Sequence, residues 1–571
     1  MDLLSLGQVF QSSVFCLAVF CLSRWLASRL LLAAFLTGIA LAEPRPYPLF
    51  YESPEPFRAA IASADKTSAP LTQKITGLTV PHHLLAADMI ATTFRLASGH
   101  QPARIVILSP DHFRRGTTPL ATTTRPFQSP LGELAIDLPA ANKLLDNALV
   151  AESNLFSHEH GVQALLPFIA HYFPKVPVVP LVIDIRSTPE EWEKLATIIQ
   201  AILTPDTLMV QSTDFSHYLS QPIAAVNDQQ TLMLLAAGDR AGIRNLNQPD
   251  HLDSKAAQWL QMTLQHRVFK ALPPVVVDNR NAIRYGGRPD EPRTTSYITQ
   301  LHSAEFIPAA GLPGAAWFFG GDTHFGRHVA TAFADSARAA NVAAAILTIT
   351  GERPLIVNLE GVVLDEAPSE FTHPMRIGMA AEFSIAQLKR LHVAAVSIAN
   401  NHSLDFGMAA RDRMRELLEH AGIKVIDAGA PSDLGPFRLA VATDVVNHPE
   451  PATAILTEAS FATWRQPASA KPLIAFLHGG REYADAPGPR ERLLAGWAEA
   501  AGAALILGCH PHRPSPGWQR GEESLRFPSL GNLIFDQTDP KNTGGIIEVR
   551  FFEQGTWAAR WHPVGNLYLD H

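Results

Sequence analysis

Cysteine is nearly absent from this sequence. The 571 residues contain only three, and two of them, Cys16 and Cys21, lie within the first 42 residues. If that segment is removed from the mature protein, only Cys509 remains and no internal disulfide can form. The stability of the folded chain must then come from burial of apolar side chains or from bound metal.

Charged residues are also scarce. They make up 18% of the chain, while hydrophobic residues make up 47%; a typical soluble domain has about 25% charged residues. The net charge of −8 follows from 46 Lys and Arg against 54 Asp and Glu, and we find no basic cluster that would follow a phosphate backbone. The composition predicts large buried cores and argues against nucleic acid as a partner.

The first 42 residues contain two apolar runs, at residues 9–22 and 30–42. Both are shorter than the roughly 18 to 20 residues that a membrane-spanning helix needs. The second run follows two arginines, has a leucine-rich centre and ends in Ala40-Leu41-Ala42, which is the layout of a secretory signal peptide. Residues 1–42 are therefore predicted to be a signal peptide or an uncleaved membrane anchor. We expect an exported protein, periplasmic or anchored so that it faces the periplasm.

Beyond this segment, apolar runs typical of strands alternate with longer amphipathic stretches. This alternation predicts α/β domains with mainly parallel sheets. A stretch rich in proline and glycine, from Pro308 to Gly314, interrupts the alternation and indicates a boundary. We predict a linker at residues 43–75, a first α/β domain at 76–302, a second linker at 303–315 and a second α/β domain at 316–571.

Histidine is abundant where cysteine is scarce, with 23 residues, all of them after residue 80. In the second domain, five apolar runs each end in a cluster of histidine, carboxylate or amide side chains, and open α/β sheets bind ligands at the carboxyl ends of their strands. These clusters contain Asp322 and His324; Glu360; Asn401, His402 and Asp405; His478; and His510 and His512. Any single cluster is better explained as structural, since a histidine after a strand often only caps a loop. Five in succession favour a site for two metal ions.

The same stretches resemble the calcineurin-like metallophosphoesterases and, within them, the CapA family of bacterial capsule and poly-γ-glutamate synthesis proteins. The resemblance extends from Trp317 to about Val564 and includes Asn358-Leu359-Glu360-Gly361, Asn400-Asn401-His402 and Gly508-Cys509-His510-Pro511-His512. It implies a C-terminal metallophosphoesterase-like α/β/β/α sandwich that binds two divalent ions, with Mn, Fe, Zn and Mg all open. The implied metal ligands are Asp322, His324, Glu360, Asn401, His478, His510 and His512.

The resemblance also implies that His402 protonates the leaving group of the reaction. A role for Asp405 in orienting His402 is our own inference. Two positions depart from the family pattern, where Gly479 replaces a usual Trp and Cys509 replaces a frequent His. Gly479 predicts additional space near the site. Cys509 is either a soft metal ligand or a small buried residue.

The first domain resembles the Memo-like family, also called AmmeMemoRadiSam system protein B. The resemblance runs from about Val80 to Tyr297, through Pro81-His82-His83, Ser109-Pro110-Asp111-His112, Glu159-His160-Gly161 and Ser212-Thr213-Asp214-Phe215-Ser216-His217. It implies an N-terminal Memo/extradiol-dioxygenase-like α/β domain with a pocket for one non-haem metal. The implied pocket residues are His82, His112, His160, Asp214 and His217.

Memo-like chains carry a cysteine late in the domain, and the stretch from Asp253 to Ala257 has none. An idle or merely metal-binding pocket is therefore as well supported as an active one. The family name suggests a radical-SAM enzyme as a partner, but the predicted export of this protein argues against it.

Three functions remain open from the sequence. The first is an exported metal-dependent hydrolase that acts on a small-molecule phosphoester or on a linkage in a capsule, poly-γ-glutamate or other cell-envelope polymer. The second is a non-catalytic polymer-binding component of the capsule export machinery. The third is a redox or dioxygenase activity in the N-terminal pocket.

Overall fold

A computed structural model describes residues 45–366, 368, 375–445, 447, 456–465 and 471–571. The predicted signal peptide or anchor at residues 1–42, with Cys16 and Cys21, lies outside the described residues. Within the described part of the chain, no helix is long and apolar enough to cross a membrane. Residues 48–571 form one structural unit.

The N-terminal domain is built on a nine-stranded sheet. Its central strands are parallel and buried on both faces, so their sequences are continuous apolar runs such as Ile105-Val106-Ile107-Leu108. The strands, with a separate β4–β5 hairpin, are β1 (Gly77–Val80), β2 (Arg104–Pro110), β3 (Leu120–Thr122), β4 (Phe127–Ser129), β5 (Gly132–Leu134), β6 (Val150–Glu152), β7 (Val178–Ile183), β8 (Thr207–Ser212), β9 (Phe215–Leu219), β10 (Val275–Asn281) and β11 (Thr294–His302). The sheet order is β10-β11-β1-β8-β2-β7-β3-β6, and β9 pairs with β11.

Helices cover this sheet. Their starts follow local rules, as in the helix from Pro189, where Thr188 and Glu191 form a capping box. The α-helices of this domain are Glu55–Thr67, Ala87–Ala97, Leu138–Leu145, His160–Gln163, Leu166–Tyr172, Pro189–Gln200, Gln221–Ala237, Arg240–Asn245 and Lys255–Leu264. One turn of π-helix, Gln265–Phe269, extends the last of them.

The segment predicted as the first linker differs from expectation. Residues 55–67 form a helix, and Phe57 is buried with its ring centroid 5.5 Å from that of Phe168. The Pro, Ala and Ser content suggested a loose stretch, but Phe57, Ala60, Ile61 and Ala64 line one face of this helix and are buried.

The C-terminal domain contains two larger sheets. Its strands are β12 (Ala315–Thr323), β13 (Leu355–Leu359), β14 (Val362–Leu364), β15 (Gly378–Ala380), β16 (Val393–Ser397), β17 (Lys424–Ile426), β18 (Ser432–Asp433), β19 (Arg438–Thr443), β20 (Leu473–His478), β21 (Ala503–Cys509), β22 (Gln519–Arg520), β23 (Leu525–Phe527), β24 (Asn532–Ile534), β25 (Gly544–Phe551) and β26 (Trp557–Gly565). One sheet has the order β17-β16-β13-β12-β25-β26 with β24 on β12, and the other has the order β18-β19-β20-β21-β23-β22.

These two sheets pack face to face, with Phe319, Phe437 and Phe476 in the buried layer between them. The helices are Arg327–Phe333, Ser336–Thr350, Ala381–Arg390, Gly407–His420, Pro489–Ala500 and Leu567–Asp570. A core that contains Ile346, Leu388 and Met414 covers one outer face, and a core that contains Leu494 and Ala498 covers the other. The domain is an α/β/β/α sandwich, as expected from the sequence.

The two domains also contact each other outside residues 303–315. The turn between β25 and β26 reaches the N-terminal domain, where Thr556 donates a hydrogen bond to Asn279 and Gln554 donates one to the buried Asp228. Gln229 accepts from the backbone N–H of Trp557 and donates to its carbonyl oxygen. The predicted second linker is therefore not the sole connection between the domains.

Candidate metal centres at the strand ends

In the C-terminal domain, the candidate ligands come from both sheets. Asp322 lies at the end of β12, Glu360 directly follows β13, and Asn401 lies four residues after the end of β16. From the other sheet, His478 is the last residue of β20, and His510 and His512 follow β21. The carboxyl ends of parallel strands in each sheet lie at one edge, so the fold brings these side chains together.

Asp322 is at the centre of this cluster. The side-chain amide of Asn358 donates to its Oδ1 at 2.8 Å, and the backbone N–H of His510 donates to its Oδ2 at 2.8 Å. Nδ1 of His478 lies 3.5 Å from Oδ1, and Nδ1 of His512 lies 3.5 Å from Oδ2. The Asp322 carboxylate therefore contacts an imidazole on each side.

Two groups of three ligand atoms, each within 4.8 Å of one another, share this carboxylate. One group is Asp322, His478 and Cys509, and the other is Asp322, Glu360 and His512. A carboxylate that belongs to both groups is the arrangement expected of a ligand that bridges two cations.

The backbone around the cluster is held in uncommon conformations. His510 and His512 have φ values of 97° and 58°, which few residues other than glycine adopt. Such conformations cost about 1 to 3 kcal/mol each and persist only where surrounding contacts hold them. Here Asp322 accepts from the His510 N–H, and Asn532 Oδ1 lies 2.8 Å from Nδ1 of His512.

Close backbone approach at Gly321 also positions Asp322. A Cβ atom at Gly321 would lie 1.9 Å from the carbonyl oxygen of Gly531, the same oxygen that accepts from the Asp322 N–H. Only glycine permits this packing. The glycine directly before Asp322 in the sequence is thus explained.

The electrostatics of the cluster favour a bound cation. Burial and the charge of Asp322 raise the pKa of Glu360 well above its usual value. Burial and His478 lower the pKa of His510 to about 2. Glu360 Oε2 and His510 Nδ1 are buried without a hydrogen-bond partner among the residues that the structure describes. A divalent ion would pair with both groups, so this donor set fits the metal expected from the sequence.

His402 lies beside these ligands. Its Nδ1 is 2.8 Å from Asp405 Oδ2, which also accepts from the backbone N–H of Ile377, and its Nε2 is 3.7 Å from Glu360 Oε1. The contact with Asp405 fixes the ring so that Nε2 faces the cluster. The geometry therefore agrees with the inferred orienting role of Asp405.

Two of the predicted ligands have other contacts. His324 is buried, but its Nε2 is 3.2 Å from Asp536 Oδ1 and its Nδ1 accepts from the Gly326 N–H. A metal would have to displace one of these partners, so its assignment as a ligand stays a prediction. Asn401 Oδ1 lies 2.8 Å from Nε2 of His478, so these two predicted ligands meet directly.

The two departures from the CapA pattern have distinct surroundings. The Sγ of Cys509 lies 3.3 Å from Nδ1 of His478, and burial raises the pKa of the thiol well above its usual value. This favours a neutral buried thiol in the metal-free protein. Gly479 borders a cavity of about 40 Å³ that Leu494 and Ile506 also line. None of the predicted metal ligands lines that cavity.

Sequence reasoning assigned no role to three side chains around this site. Asp536 contacts His324 and pairs with Arg327, Asn532 contacts His512, and Asn358 bridges Asp322 and His478. Asn358 belongs to one of the motifs that carry the CapA resemblance, and Asn532 and Asp536 lie within the range that the resemblance covers. The resemblance was therefore the signal in the sequence that could have indicated these three residues.

The N-terminal pocket also forms at strand ends, but on a single sheet. His82 lies two residues after β1, His112 two residues after β2 and Asp214 two residues after β8. Since β1, β8 and β2 are parallel neighbours, these residues meet at one edge. His160 begins a short helix at the same edge, and His217 comes from β9.

Three histidines of this pocket face one another. The ring centroids of His82, His112 and His160 are 4.2 to 5.0 Å apart, and one nitrogen of each lies within 4.8 Å of the others. Nδ1 of His82 contacts Ser212 Oγ at 3.1 Å, and Nδ1 of His112 contacts Glu159 Oε1 at 2.6 Å. Both contacts leave Nε2 free to bind a metal, as partners of metal-bound histidines commonly do.

Three carboxylates, those of Asp214, Asp253 and Glu159, complete the pocket. Burial, together with the neighbouring Asp253, raises the pKa of Asp214 to about 8. Burial alone would lower the pKa of His112, but Asp253 and Glu159 outweigh it and raise the pKa to about 10. The sequence comparison placed neither Asp253 nor Glu159 in the site. Asp253 was noted only as a position near which the family cysteine is missing.

Comparison with known proteins supports both resemblances. Residues 48–253 match the family model for Memo-like protein, and residues 316–434 and 437–537 match that for bacterial capsule synthesis protein PGA_cap. The N-terminal region is 28% identical over 176 residues to a MEMO1 family protein of Methanopyrus kandleri, a match that covers 29% of this chain and 62% of that protein. It is 26% identical over 180 residues to one of Pyrobaculum arsenaticum, covering 30% of this chain and 64% of that protein.

The chain thus spans about three fifths of the length of these curated relatives. Among solved structures, sulfate thiohydrolase SoxB of Thermus thermophilus, in complex with glycerol, is 16% identical with a TM-score of 0.22. The match covers 32% of this chain and 34% of that chain.

Proposed function

Because this chain joins a Memo-like region to a PGA_cap region, we propose that it is an exported metal-dependent hydrolase whose C-terminal site cleaves a phosphoester or a linkage in a cell-envelope polymer. The observation that carries the proposal is the position of Asp322 in two groups of potential ligands. Metallophosphoesterase-type hydrolysis needs two cations side by side, and a shared carboxylate provides for that spacing.

The chain supplies the remaining parts of the reaction. Divalent ions, when bound, provide positive charge for phosphate oxygens and lower the pKa of water. Asp322, Glu360 and His512 form one candidate holding group, and Asp322 and His478 belong to the other. The backbone and Asn358 contacts described above keep the Asp322 carboxylate in place before any ligand binds, which reduces the reorganisation needed during the reaction.

His402 acts as the proton donor in this proposal. The Nδ1–H of the charged ring donates to Asp405, and the proton on Nε2 is directed toward the cluster, where a leaving oxygen would lie. Transfer of the Nε2 proton leaves a neutral ring that is still bonded to Asp405. Asp405 thereby stabilises the protonated ring before the transfer and maintains its orientation afterwards.

The cellular setting is part of the proposal. Capsule or poly-γ-glutamate polymers, and the machinery that makes them, are the expected partners because the PGA_cap match covers the candidate site. Export to the periplasm is supported by the signal-peptide layout that ends at Ala42. A small-molecule phosphoester is the alternative substrate.

The test uses the full chain, stripped with a chelator and then reloaded with Mn²⁺. We expect hydrolysis of bis(p-nitrophenyl) phosphate to disappear on stripping and to return with the metal. Glu360→Gln preserves side-chain volume but cannot offer a carboxylate to a metal ion, so we expect activity to fall at least about 100-fold. Glu522→Gln, at an exposed position, is the matched control and should retain full activity.

Two outcomes would contradict the proposal. Hydrolysis that persists after chelation, or a Glu360→Gln protein as active as the Glu522→Gln control, would exclude this cluster as the catalytic site. A wild-type protein whose C-terminal domain binds two equivalents of Mn²⁺, and which retains capsule polymer but hydrolyses neither the polymer nor bis(p-nitrophenyl) phosphate, would favour the non-catalytic polymer-binding function instead.

A further inference from the structure

We infer that Asp253 is a metal ligand, and that with His82 and His112 it forms a two-histidine, one-carboxylate site for a divalent ion in the N-terminal domain. This inference is independent of the function proposed for the C-terminal domain. It concerns the position where Memo-like relatives were expected to supply a cysteine.

The first argument is distance. Oδ2 of Asp253 lies 3.4 Å from Nε2 of His82 and 3.6 Å from Nε2 of His112. These separations exceed hydrogen-bond lengths but match those between ligands on the same metal ion, since each ligand atom then lies about 2.0 to 2.2 Å from the ion. Oδ2 of Asp253 is thus within ligand-to-ligand distance of both ring nitrogens.

The second argument is unsatisfied bonding. Oδ1 of Asp253 and Nε2 of His112 are buried, and neither has a hydrogen-bond partner among the described residues. Nε2 of His217, in the same pocket, is also buried without a hydrogen-bond partner among the described residues. Leaving such groups buried and unpaired is costly unless a further group binds there. A cation bound by Oδ2 of Asp253 would give Nε2 of His112 the partner that it lacks.

The third argument is that Asp253 is held rigidly in this position. Its backbone N–H donates to the carbonyl oxygen of Asp214 at 3.0 Å, and the Asp214 N–H donates back to Asp253 Oδ2 at 3.0 Å. A β-bridge pairs the preceding Leu252 with Phe215, and the following Ser254 caps the helix Lys255–Leu264. The carboxylate is therefore positioned before a metal arrives, as a strong site requires.

Asp214 is the alternative carboxylate, but its contacts fit a different role. Its Oδ1 accepts a hydrogen bond from the backbone N–H of His82, and its Oδ2 lies 3.6 Å from Nε2 of His82. Asp253, in contrast, lies near both histidines and has an oxygen with no partner. Asp214 is thus a positioning residue for the His82 backbone and for Asp253.

The ligand set determines the class of metal. Two imidazoles and a carboxylate on one side of an ion leave open coordination positions and suit Fe²⁺ or other divalent ions that prefer nitrogen and oxygen. A thiolate in place of the carboxylate would favour softer ions, including Cu(I). A carboxylate ligand, in a pocket whose described residues include no cysteine, would therefore favour these harder ions. His160, whose side chain is 33% exposed, lies on the side open to an incoming ligand.

Cobalt spectroscopy of the full chain tests the assignment directly. The variants are made in a Cys509→Ser background, which removes the only cysteine among the described residues, and are loaded with Co²⁺. We expect Asp253→Cys to gain a thiolate-to-cobalt charge-transfer band. Asp250→Cys, three residues away and exposed, removes the same charge and introduces the same thiol, and it should show no band.

A second variant protects the test against misfolding. Asp253→Asn keeps the size and the backbone contacts of the residue, and we expect it to weaken binding of one Co²⁺ equivalent per chain by at least about 100-fold. Asp250→Asn should bind as the wild type does. Three outcomes would overturn the inference. The first is a folded Asp253→Cys protein without the charge-transfer band, and the second is an Asp253→Asn protein with unchanged Co²⁺ affinity. The third is a loss of Co²⁺ affinity that occurs in Asp214→Asn but not in Asp253→Asn.

Discussion

The two candidate metal sites of this protein differ in how their ligands are held. In the C-terminal domain the candidate ligands come from the edges of two packed sheets and contact one another, with Asn401 Oδ1 2.8 Å from Nε2 of His478 and the His510 backbone N–H bonded to Asp322. In the N-terminal domain His82 and His112 follow strands of one sheet, and residues outside the ligand set fix them, as Glu159 fixes His112 and Ser212 contacts His82. We therefore expect that removing one ligand of the C-terminal cluster disrupts metal binding by the whole cluster. Removing one supporting residue in the N-terminal pocket should affect only the ligand that it contacts.

The largest effect expected from this difference is at Asp322. Because both C-terminal ligand groups share its carboxylate, Asp322→Ala should abolish binding of both Mn²⁺ equivalents in that domain and reduce hydrolysis to the uncatalysed rate. Metal analysis of the full chain would then show only the equivalent that the N-terminal pocket holds.

His112→Ala is the matched variant in the other domain. It should remove one metal equivalent and leave phosphodiester hydrolysis unchanged. Loss of a single equivalent in Asp322→Ala, or loss of hydrolysis in His112→Ala, would mean that the two sites do not differ in the way that the contacts indicate.

The same comparison shows what the sequence was able to predict. Candidate ligands that follow strands in the C-terminal domain, such as Glu360 and His478, were predicted because the apolar runs marked those strands and their ends share an edge. His82 and His112 were predicted from the Memo-like resemblance. Asp253 follows no strand. A β-bridge and two hydrogen bonds bring it beside Asp214, 39 residues earlier in the chain, and a contact of that kind leaves no local pattern.

Contacts between candidate ligands and residues far away in the chain could not be predicted from the sequence either. His324 directly follows β12, as the other candidate ligands follow their strands, but its ring contacts Asp536, which lies 212 residues later in the chain. The helix at residues 55–67 was missed because its composition is that of a loop, while its stability comes from packing Phe57 against the domain. Tertiary contacts decided each of these features.

An intermediate effect is expected for the proton donor of the C-terminal site. His402→Ala should retain both metals, since Nδ1 of His402 contacts Asp405 and its Nε2 faces the cluster as a donor. Its rate on a dialkyl phosphodiester, whose leaving alkoxide must be protonated, should fall about 10²- to 10⁴-fold. Its rate on bis(p-nitrophenyl) phosphate should fall by less than about 10-fold, because p-nitrophenolate leaves without a proton.

His420→Ala, on an exposed helix position, is the control and should match the wild type on both substrates. An equal loss on the two substrates, with metal content unchanged, would assign His402 to substrate binding and remove it from proton transfer.

The smallest effect expected concerns Glu159, the N-terminal counterpart of Asp405. Glu159 is fully buried; its Oε1 lies 2.6 Å from Nδ1 of His112, and its Oε2 accepts from the His112 backbone N–H. Glu159→Gln preserves the shape but weakens the orientation and basicity of the ring. We expect Co²⁺ affinity of the N-terminal pocket to fall about 10- to 100-fold, without loss of the site.

Glu152→Gln, at a largely exposed position of the same domain, should leave Co²⁺ affinity unchanged, and both variants should hydrolyse phosphodiester at the wild-type rate. Complete loss of the N-terminal metal in Glu159→Gln would show that Glu159 itself is a ligand or that the pocket ligands depend on one another as those around Asp322 do. Either result would remove the distinction between a mutually bonded cluster and a pocket whose ligands are supported separately.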